Sequence, residues 1–451
     1  MNIIVVGCGK IGSTIIASLV QEGHDVVAID DVSAVIAEVT NIYDVMGVCG
    51  NGADCNTLSE AGVERTELFV AVTGSDELNM LSCFIARRMG AKHTIARIRN
   101  PEYDMSLAFL RQQLDLSSVI NPDYLAAQEL FNILKLPSAT KIETFSRRNF
   151  EMIELRLKPD SPLDSVRLCD IRKKYQAQFL VCVVQRGEDV FIPGGDFVLQ
   201  SGDRIGITAT PGEIQKLLRL LGIMQKQAKD IMILGASRTS YYLAKMLLAT
   251  GTSVKIIELD PKTAAETCEA LPNAVVIQGD GAQQELLLEE GLRSMDAFVA
   301  LTGMDEENIL ISYFAAAQKV PTVISKVNRN ELASIAENMG LDSLVTPRKI
   351  TSNIVVQYAR ALQNSLGSKV ETLYKLMDEK AEALEFTVQP DFKHCNIALK
   401  DIKLKPNILV AGIIRGRKII IPSGDDVILP GDKVVVISSR QRMNDLSDII
   451  R

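Results

Sequence analysis

The sequence predicts an α/β protein made by tandem duplication: a doubly wound, Rossmann-like parallel-sheet domain is followed by a small α+β domain, and this pair occurs twice. Three observations predict it. Distinctive short strings recur at a nearly fixed interval along the chain. Each repeat opens with short apolar strands that alternate with amphipathic helical stretches, the pattern of βαβ units on a covered sheet. Each repeat then changes to short β-rich runs separated by glycine turns, which indicates a small α+β domain.

The duplication is visible in motifs from both types of domain. A Thr-Gly-x-Asp-x-x-Asn string occupies residues 73–79 and returns at residues 302–308, an offset of 302 − 73 = 229 residues. In the β-rich stretches, an Arg-Gly pair at residues 186–187 returns at residues 415–416 with the same offset. Nearer the start the offset is one residue shorter. The second copy has therefore gained one residue between its second strand and its third-strand loop.

These patterns divide the chain into four predicted domains. The Rossmann-like domains span residues 1–138 and 226–366, the second of them degenerate, and the small α+β domains span residues 139–225 and 367–451. The alternation of apolar runs and turns predicts six strands in the first Rossmann-like domain. These strands are residues 2–6, 25–29, 44–49, 68–73, 93–97 and 118–120.

A helix is predicted after the last strand of each Rossmann-like domain. The first runs from about residue 122 to residue 134, has proline in its first turn, and carries Leu130, Ile133 and Leu134 at helical spacing. Its counterpart, from about residue 348 to residue 362, repeats apolar side chains at every fourth position. Such apolar faces must be buried against another part of the protein. We expect them to pack on their own sheet, and pairing with another copy is the alternative.

Composition excludes several classes of protein. The chain has 451 residues, of which 47% are hydrophobic, so it is long enough for about three ordinary domains and is not disordered. No apolar run approaches the roughly 18 residues of a membrane-spanning helix, and the chain starts directly in a buried strand, so we expect a cytoplasmic location. A formal charge of −7 argues against nucleic acid as a partner. Eight cysteines without a C-x-x-C pair are expected to be buried reduced thiols, and three isolated histidines predict no metal site.

The strongest local signal for a ligand is a glycine-rich loop directly after the first strand. The string Gly7-Cys8-Gly9-Lys10-Ile11-Gly12 joins that strand to a helical stretch, the context that the G-x-G-x-x-G pattern requires. Its first glycine suits a tight turn, its second lets the backbone approach a phosphate, and its third allows close packing of helix on strand. Amides at the helix start would then face the anion. Lys10 either reaches a terminal phosphate or is an exposed residue without a partner.

An acidic residue accompanies this loop at the expected distance. Asp30 ends the second strand 18 residues (30 − 12) after Gly12, close to the spacing of about 20 residues at which a carboxylate meets ribose hydroxyls. A carboxylate there repels a 2′-phosphate, which disfavours NADP. It does not choose among NAD, ADP and ATP. The structural alternative for Asp30 is a solvated residue that caps the turn.

Further candidate residues follow the third, fourth and fifth strands, because open α/β sheets bind ligands at the carboxyl ends of their strands. The loop after the third strand is expected beside the adenosine, and the turn after the fourth strand beside the same ligand. Arg97 ends the fifth strand and contacts either phosphate or a neighbouring subunit, with a structural ion pair as the alternative. Asp76 and Glu77 are interpreted as acids that stabilise the first turn of a helix. The candidates in the two loops are Asn51, Gly52, Ala53, Thr73 and Gly74.

The second copy has lost two of the three loop glycines. Its loop begins at Gly235 and has serines where the second and third glycines stand in the first copy, so side chains occupy space that phosphate needs. Glu258 keeps an acid at the ribose position, and Arg238 is a candidate for compensating charge. Weaker or different nucleotide binding is predicted there. The alternative is a packing domain with an empty cleft.

Taken together, these residues resemble the family of cytoplasmic domains that regulate potassium conductance, the RCK or KTN family. The glycine loop, the strand-end acid, the strings G-N-G-A-D and V-T-G-S-D-E-L-N, and the two-domain repeat carry the resemblance over essentially the whole chain. It implies a peripheral protein at the inner face of the cell membrane that assembles into a homotetramer or another ring. It also implies docking on a membrane-embedded, Trk-type potassium-translocating subunit, gated by NAD(H) and by ATP or ADP. The nucleotide contacts implied for this chain are Gly7, Gly9, Gly12, Asp30, Thr73 and Arg97.

The rival class is an enzyme, a nicotinamide-dependent dehydrogenase. Hydride transfer usually needs a positioned proton donor that faces the nicotinamide. His24 and His93 are expected to be ordinary surface histidines, and the stretches after the Rossmann-like domains show no cluster of His, Lys and Asp. We therefore expect nucleotide binding without turnover. A stand-alone nucleotide sensor with a soluble partner is the third possibility.

Overall fold

The structure is a computed structural model of the chain. It describes residues 1–136, 141–145, 150–159, 161–175, 178–224, 227–341, 343–365, 370–377, 380–439, 443 and 445–451. The described residues form two compact units, each assembled from two separate stretches of the chain. One unit contains Met1–Phe131 and Lys229–Ala359, and the other contains Asn132–Ala228 and Arg360–Arg451. The predicted domain boundaries at residues 138/139, 225/226 and 366/367 lie outside the described residues and stay predictions.

The first Rossmann-like half has a six-stranded parallel sheet in the order β3-β2-β1-β4-β5-β6, which is doubly wound. Its strands are β1 (Asn2–Val6), β2 (Asp25–Asp30), β3 (Met46–Cys49), β4 (Leu68–Ala71), β5 (His93–Arg97) and β6 (Ser118–Ile120). Its helices are α1 (Lys10–Gln21), α2 (Ser33–Tyr43), α3 (Cys55–Glu60), α4 (Asp76–Met89), α5 (Leu107–Gln113) and α6 (Pro122–Lys135). Both faces of the sheet are covered, so the central strand β1 is buried from Ile3 to Val6.

Three predicted strands have different bounds in the structure. The second strand ends at Asp30 and not at residue 29. The third strand begins at Met46 because Asp44 adopts a left-handed conformation (φ +53°) that ends α2. The fourth strand ends at Ala71 because the amide of Thr73 donates to a side chain, the Asn79 carboxamide, at 2.7 Å.

The first small domain follows as a five-stranded antiparallel sheet in the order β10-β9-β11-β8-β7. Its strands are β7 (Lys141–Phe145), β8 (Phe150–Arg156), β9 (Phe179–Arg186), β10 (Asp189–Phe191) and β11 (Arg204–Ala209). Two helices, α7 (Leu168–Tyr175) and α8 (Pro211–Leu220), accompany it, and α8 buries Ile214, Leu217 and Leu218.

The second Rossmann-like half repeats the first, with the sheet order β14-β13-β12-β15-β16-β17 and all pairs parallel. Its strands are β12 (Asp230–Leu234), β13 (Ser253–Glu258), β14 (Val275–Gln278), β15 (Ala297–Ala300), β16 (Thr322–Lys326) and β17 (Leu344–Val345). Its helices are α9 (Arg238–Ala249), α10 (Pro261–Ala270), α11 (Gln284–Glu289), α12 (Asp305–Ala317), α13 (Asn330–Asn338) and α14 (Pro347–Ser365).

The second small domain repeats the first as an antiparallel sheet in the order β18-β19-β22-β20-β21. Its strands are β18 (Val370–Leu376), β19 (Ala381–Thr387), β20 (Ile408–Arg415), β21 (Lys418–Ile420) and β22 (Lys433–Ser438). The two small domains share a hydrophobic core that joins Phe150 and Cys182 of the first to Ala411 and Val435 of the second. The predicted fold class is confirmed.

Within the unit that holds both Rossmann-like halves, the helix after each sheet contacts the other half. At the start of α6, Asn121 donates to the Tyr242 hydroxyl at 3.0 Å, and Asp123 accepts from the Thr239 hydroxyl at 3.0 Å. On α14, Ser352 donates to the Ser18 hydroxyl of α1 at 2.8 Å. The predicted helices thus exist, and polar residues at these three positions contact the other half.

The prediction that the cysteines are buried is confirmed for Cys8, Cys83 and Cys182 and is wrong for the other five, of which Cys169 and Cys395 are half-buried. None of the eight forms a disulfide, but Cys49, Cys55 and Cys268 are exposed. Cys49 ends an edge strand, Cys55 begins the short helix α3, and Cys268 lies on α10. An apolar stretch does not bury all of its residues, because edge strands and surface helices leave some of them in contact with solvent.

Candidate nucleotide-binding site

A cavity of about 630 Å³ lies at the carboxyl ends of β1, β2, β4 and β5, where an open α/β sheet binds its ligand. Most of the predicted site residues of the first half line it. Cys8, Gly12 and Ala53 are not among the lining residues. The lining residues that the sequence predicted are Gly7, Gly9, Lys10, Ile11, Asp30, Asn51, Gly52, Thr73, Gly74 and Arg97.

The glycines of the first loop are required by space and backbone conformation. Gly7 has φ +90°, and a Cβ there would lie 2.7 Å from the Thr73 amide nitrogen. A Cβ on Gly12 would lie 1.8 Å from the Gly7 carbonyl oxygen, so any side chain would displace the backbone. A Cβ on Gly9 would meet nothing within 4 Å. Gly9 therefore borders open space, and Gly7 and Gly12 shape the turn beside it.

The start of α1 is an open site for an anion. Gly9 is the N-cap, and no side chain caps the helix. Within the described part of the chain, the amides of Lys10, Ile11 and Gly12 donate to no protein acceptor. Unsatisfied amides at a helix start carry the positive end of the helix dipole and favour negative ligands such as phosphate.

The Asp30 carboxylate lies beside this loop and fixes it. It accepts from the Cys8 amide at 2.7 Å and from the Val32 amide at 3.0 Å. The capping role considered for Asp30 is therefore observed. A carboxylate accepts about four hydrogen bonds, so both oxygens keep capacity for ribose hydroxyls, and that contact stays a prediction.

Two residues of the repeated motif, Asn79 and Asp76, hold the wall of the cavity in place. The fully buried Asn79 accepts from the Thr73 hydroxyl at 2.8 Å and donates to the Arg97 carbonyl at 2.9 Å, so it ties the end of β4 to the end of β5. Asp76 accepts from the backbone amides of Arg99 and Asn100, both at 2.8 Å. Asp76 thus holds the loop after β5 as well as lying in the first turn of α4. The sequence signal for both was the recurrence of Asp and Asn in the duplicated string.

Arg97 supplies buried positive charge to the cavity. Its side chain is 7% exposed, and it donates to the Thr73 carbonyl. Burial lowers the pKa of Arg97 to about 10, and the nearby Arg99 adds to this shift, while Asp76 and Asp123 oppose it. The side chain is thus at the cavity wall and held by a backbone carbonyl.

The second Rossmann-like half also lines this first cavity, which the sequence did not predict. Thr239, Lys326, Asn328 and Arg348 belong to its wall. Lys326 is the repeat counterpart of Arg97, and burial lowers its pKa. Burial lowers the pKa of Arg348 too. These residues lie more than a hundred positions from the glycine loop, and only the pairing of the two halves brings them to it.

Comparison with known proteins identifies the chain's relatives. Models of the TrkA-N domain match residues 3–122 and 231–347, and models of the TrkA-C domain match residues 152–222 and 383–451. The chain belongs to the TrkA family. It is 33% identical over its whole length to the whole of a Trk system potassium uptake protein TrkA homolog from Archaeoglobus fulgidus. It is 28% identical to the Trk system potassium uptake protein TrkA of Vibrio alginolyticus, over 97% of this chain and 95% of the relative.

Solved structures have the same fold as this TrkA-family chain at low sequence identity. The GsuK channel bound to NAD has a TM-score of 0.63 at 17% identity, over 97% of this chain and 77% of that one. The GsuK RCK domain has a TM-score of 0.63 at 16% identity, over 97% of this chain and 92% of that one. The GsuK protein bound to ADP has a TM-score of 0.50 at 14% identity, over 81% and 69% of the two chains.

The second half of this TrkA-family chain has its own, smaller cavity of about 300 Å³ at the equivalent position. Gly235 and Glu258 line it, as the sequence predicted. Arg238 does not line it. The positive charge of Arg238 instead acts on Arg97 of the first half, because the start of α9 contacts the start of α6.

The histidines considered for an enzyme lie away from the first cavity. Neither His24 nor His93 is among its lining residues. The expectation of a surface position is wrong for His24, which is only 6% exposed although it lies in the turn between α1 and β2. His93 is half-buried at the start of β5, which is the end of the strand away from the cavity. Its ring packs edge-on against that of Tyr358, with 6.4 Å between the ring centroids.

Proposed function

We propose that the chain is the cytoplasmic regulatory subunit of a Trk-type potassium uptake system. It binds NAD(H) and adenine nucleotides, ATP or ADP, in the first Rossmann-like cleft and thereby controls potassium transport by a membrane-embedded partner. The names of its full-length relatives support the transport role. The NAD-bound and ADP-bound proteins of the same fold support the ligand class.

One observation carries the proposed ligand site: the helix start in the first half is open. The amides of Lys10, Ile11 and Gly12 donate to no acceptor in the described part of the chain. Lys10 and Ile11 line the cavity, into which Lys10 and Arg97 bring positive charge. A diphosphate on these amides places the attached ribose towards Asp30, at the end of the neighbouring strand. The predicted contacts with Thr73, Asn51 and Gly52 then involve the loops after β4 and β3.

The cavity also suggests how binding regulates transport. Its wall is formed by both Rossmann-like halves, since Lys326 and Arg348 come from the second. A phosphate-bearing ligand in the first half is attracted by cations of the second half, so its affinity depends on how the halves are arranged. A ligand shifts a conformational equilibrium only through such a difference in affinity. Movement of the two halves is the change that we expect the membrane partner to sense.

Repeated apolar side chains on the surface support assembly into a homotetramer or another ring. Leu81 on α4 is 50% exposed, and Leu310, its repeat counterpart on α12, is 65% exposed. Met105 and Phe109 in the first half and Ile335 and Met339 in the second half are exposed as well. Large exposed apolar groups on both halves, with Leu81 and Leu310 at equivalent positions, favour contacts between chains. Among the described residues, no helix is long and apolar enough to cross a bilayer, and a membrane-embedded partner would supply the pathway for potassium.

No turnover of the nucleotide is expected. The groups that line the cavity hold phosphate and sugar, and the two histidines that were considered as proton donors lie elsewhere. Conversion of NADH to NAD by the purified chain in the presence of small carbonyl compounds would favour the dehydrogenase alternative.

Substitution of Asp30 by alanine tests the proposal. NADH binding should weaken by about tenfold to a hundredfold, because charge-assisted hydrogen bonds to ribose are lost. Potassium uptake by cells that carry this variant should lose its dependence on nucleotide. Asp25→Ala is the matched control, because Asp25 is exposed at the opposite end of the same strand. An unchanged nucleotide response in Asp30→Ala would contradict the proposal.

A further inference from the structure

We propose that the cleft of the second Rossmann-like half binds a ribonucleoside that carries no phosphate. The site is the cavity of about 300 Å³ at the ends of β12, β13, β14 and β15. This inference concerns a different cleft and does not depend on the regulatory function proposed above.

The protein's own hydroxyls occupy part of the helix start of the second half. Ser237 is the N-cap of α9, and its hydroxyl accepts from the Ser240 amide at 3.3 Å. The Ser240 hydroxyl accepts from the Ser237 amide at 3.2 Å and donates to the Gly235 carbonyl at 2.5 Å. These serines stand where the first half has Gly9 and Gly12. The amides that hold an anion in the first half are thus partly satisfied within the second half itself.

The charges around the second cleft also exclude an anion. The charged residues of its described lining are all acidic: Glu258, Asp280 and Glu307. The first cleft has Lys10, Arg97 and Arg99 in its lining. A phosphate in the second cleft would face three carboxylates without a compensating cation from that lining, which is unfavourable by Coulomb's law.

The sugar position, by contrast, is retained. Glu258 accepts from the Ala236 amide at 2.6 Å and from the Asp260 amide at 2.9 Å. In the first half, Asp30 accepts from Cys8 and Val32 in the same way. The Glu258 carboxylate therefore has the same orientation relative to its loop, and its remaining lone pairs suit the 2′- and 3′-hydroxyls of a ribose.

An exposed leucine marks the place of the base. Leu259 follows Glu258, lines the cavity and is 63% exposed, whereas the first half has the charged Asp31 at this position. Leu234, Ile257 and Leu301 add apolar wall. These three are buried, so the apolar surface that a heterocyclic base would remove from water is that of Leu259. A volume of about 300 Å³ is at the lower end of the range of small-molecule pockets, which suits a nucleoside better than a dinucleotide.

Equilibrium dialysis of the full-length chain with radiolabelled adenosine tests this inference. All variants carry Asp30→Ala, so that the contribution of the first cleft is reduced. We expect one adenosine per chain in this background, and AMP should compete at least about tenfold less well than unlabelled adenosine. Adding Glu258→Gln or Leu259→Asp should each weaken adenosine binding at least about tenfold. Leu259 is exposed, so Leu259→Asp should leave the fold intact, and circular dichroism checks this.

Opening the helix start provides the opposite test. The double variant Ser237→Gly/Ser240→Gly removes the hydroxyls and should reduce the preference for adenosine over AMP by several-fold. Absence of adenosine binding in the Asp30→Ala background, equal competition by AMP, or binding that ignores both Glu258→Gln and Leu259→Asp would overturn the inference. NADH binding by the wild-type chain is measured separately, so failure of the first-cleft proposal is distinguishable from failure of this one.

Discussion

The two Rossmann-like halves share one scaffold and differ at the start of the first helix. In both halves, the carboxylate at the end of the second strand accepts a hydrogen bond from the backbone amide of the residue after the first loop glycine. The distance is 2.7 Å in the first half and 2.6 Å in the second. In the first half the helix N-cap is Gly9 and the end is open, whereas in the second Ser237 and Ser240 cap each other. A duplicated domain can therefore keep its fold and the carboxylate at the end of its second strand while two side chains change the start of its first helix.

The charge distribution follows the same division. The first cleft is lined by the basic residues Lys10, Arg97 and Arg99. It is also lined by two basic residues of the second half, Lys326 and Arg348, which do not line the second cleft. The second half thus contributes its basic groups to the site of the first. This asymmetry explains how two halves with one topology come to have one cationic cleft and one acidic cleft.

The part of the scaffold that both halves share should respond equally to the same substitution. Asn79 ties β4 to β5, and Asn308 makes the same contacts in the second half, donating to the Lys326 carbonyl at 3.0 Å. Replacing either with alanine leaves buried backbone groups without partners. We expect each change to destabilise its half by about 2–4 kcal/mol. Hydrogen exchange of the amides in β4 and β15 measures each half separately, which matters because a chain of this size does not unfold in one step.

The comparison would fail if the two asparagine variants differed strongly. A loss of protection around Asn79 but not around Asn308 would mean that the second half is held together differently. Ser59→Ala on the exposed face of α3 serves as a control for unspecific effects of mutation.

Sequence patterns predicted the features that depend on local spacing. The offset between the two Thr-Gly-x-Asp-x-x-Asn strings is enough to predict the duplication, because strings of that length rarely recur by chance at equal intervals. The glycine loop was equally informative, since Gly7 and Gly12 are required by backbone contacts within a few residues or an adjacent strand. Strand positions followed from apolar runs that both faces of a parallel sheet bury.

Features that depend on contacts between distant parts of the chain were not predictable. Nothing in the local sequence of Lys326 or Arg348 indicates that they line the cleft of the other half. For the same reason Arg238 was assigned to the second cleft, although its charge acts on Arg97. His24 lies in a turn, where exposure is the usual expectation, yet the packing around that turn buries it.

Exchange of the N-cap residues Gly9 and Ser237 should make the helix start of each half more like that of the other. Gly9→Ser introduces a Cβ that meets no atom within 4 Å, and the extended backbone at Gly9 (φ −65°, ψ −170°) suits a serine N-cap. We expect stability to change by only a few tenths of a kcal/mol, because serine and glycine are both good N-caps. NADH binding should nevertheless weaken about tenfold, since the new hydroxyl competes for the amides that we propose as the phosphate site. Fluorescence of NADH measures the change, without interference from tryptophan, which the chain lacks.

The reciprocal variant Ser237→Gly is the matched control for this exchange. It should leave NADH binding to the first cleft within about twofold of wild type, because Ser237 lines the second cleft only. If Gly9→Ser bound NADH as tightly as the wild-type chain, the open helix start would not be what distinguishes the first half.

The smallest expected effect is a dependence of nucleotide affinity on alkaline pH, restricted to the first cleft. Burial, with help from Arg99 and Arg238, lowers the pKa of Arg97 to about 10, against the attraction of Asp76 and Asp123. Arg97 nevertheless keeps its charge, because a guanidinium is not deprotonated in proteins. Burial also lowers the pKa of Lys326, and its amine can lose its proton at alkaline pH. NADH affinity should therefore fall a few-fold between pH 7.5 and pH 10.5 as Lys326 loses its charge, and Lys326→Arg should make the decline shallower because arginine stays charged. Binding of uncharged adenosine to the second cleft should stay constant over the same pH range, and circular dichroism checks that the chain remains folded. An NADH affinity that does not change with pH would show that the charge of Lys326 does not hold the phosphates.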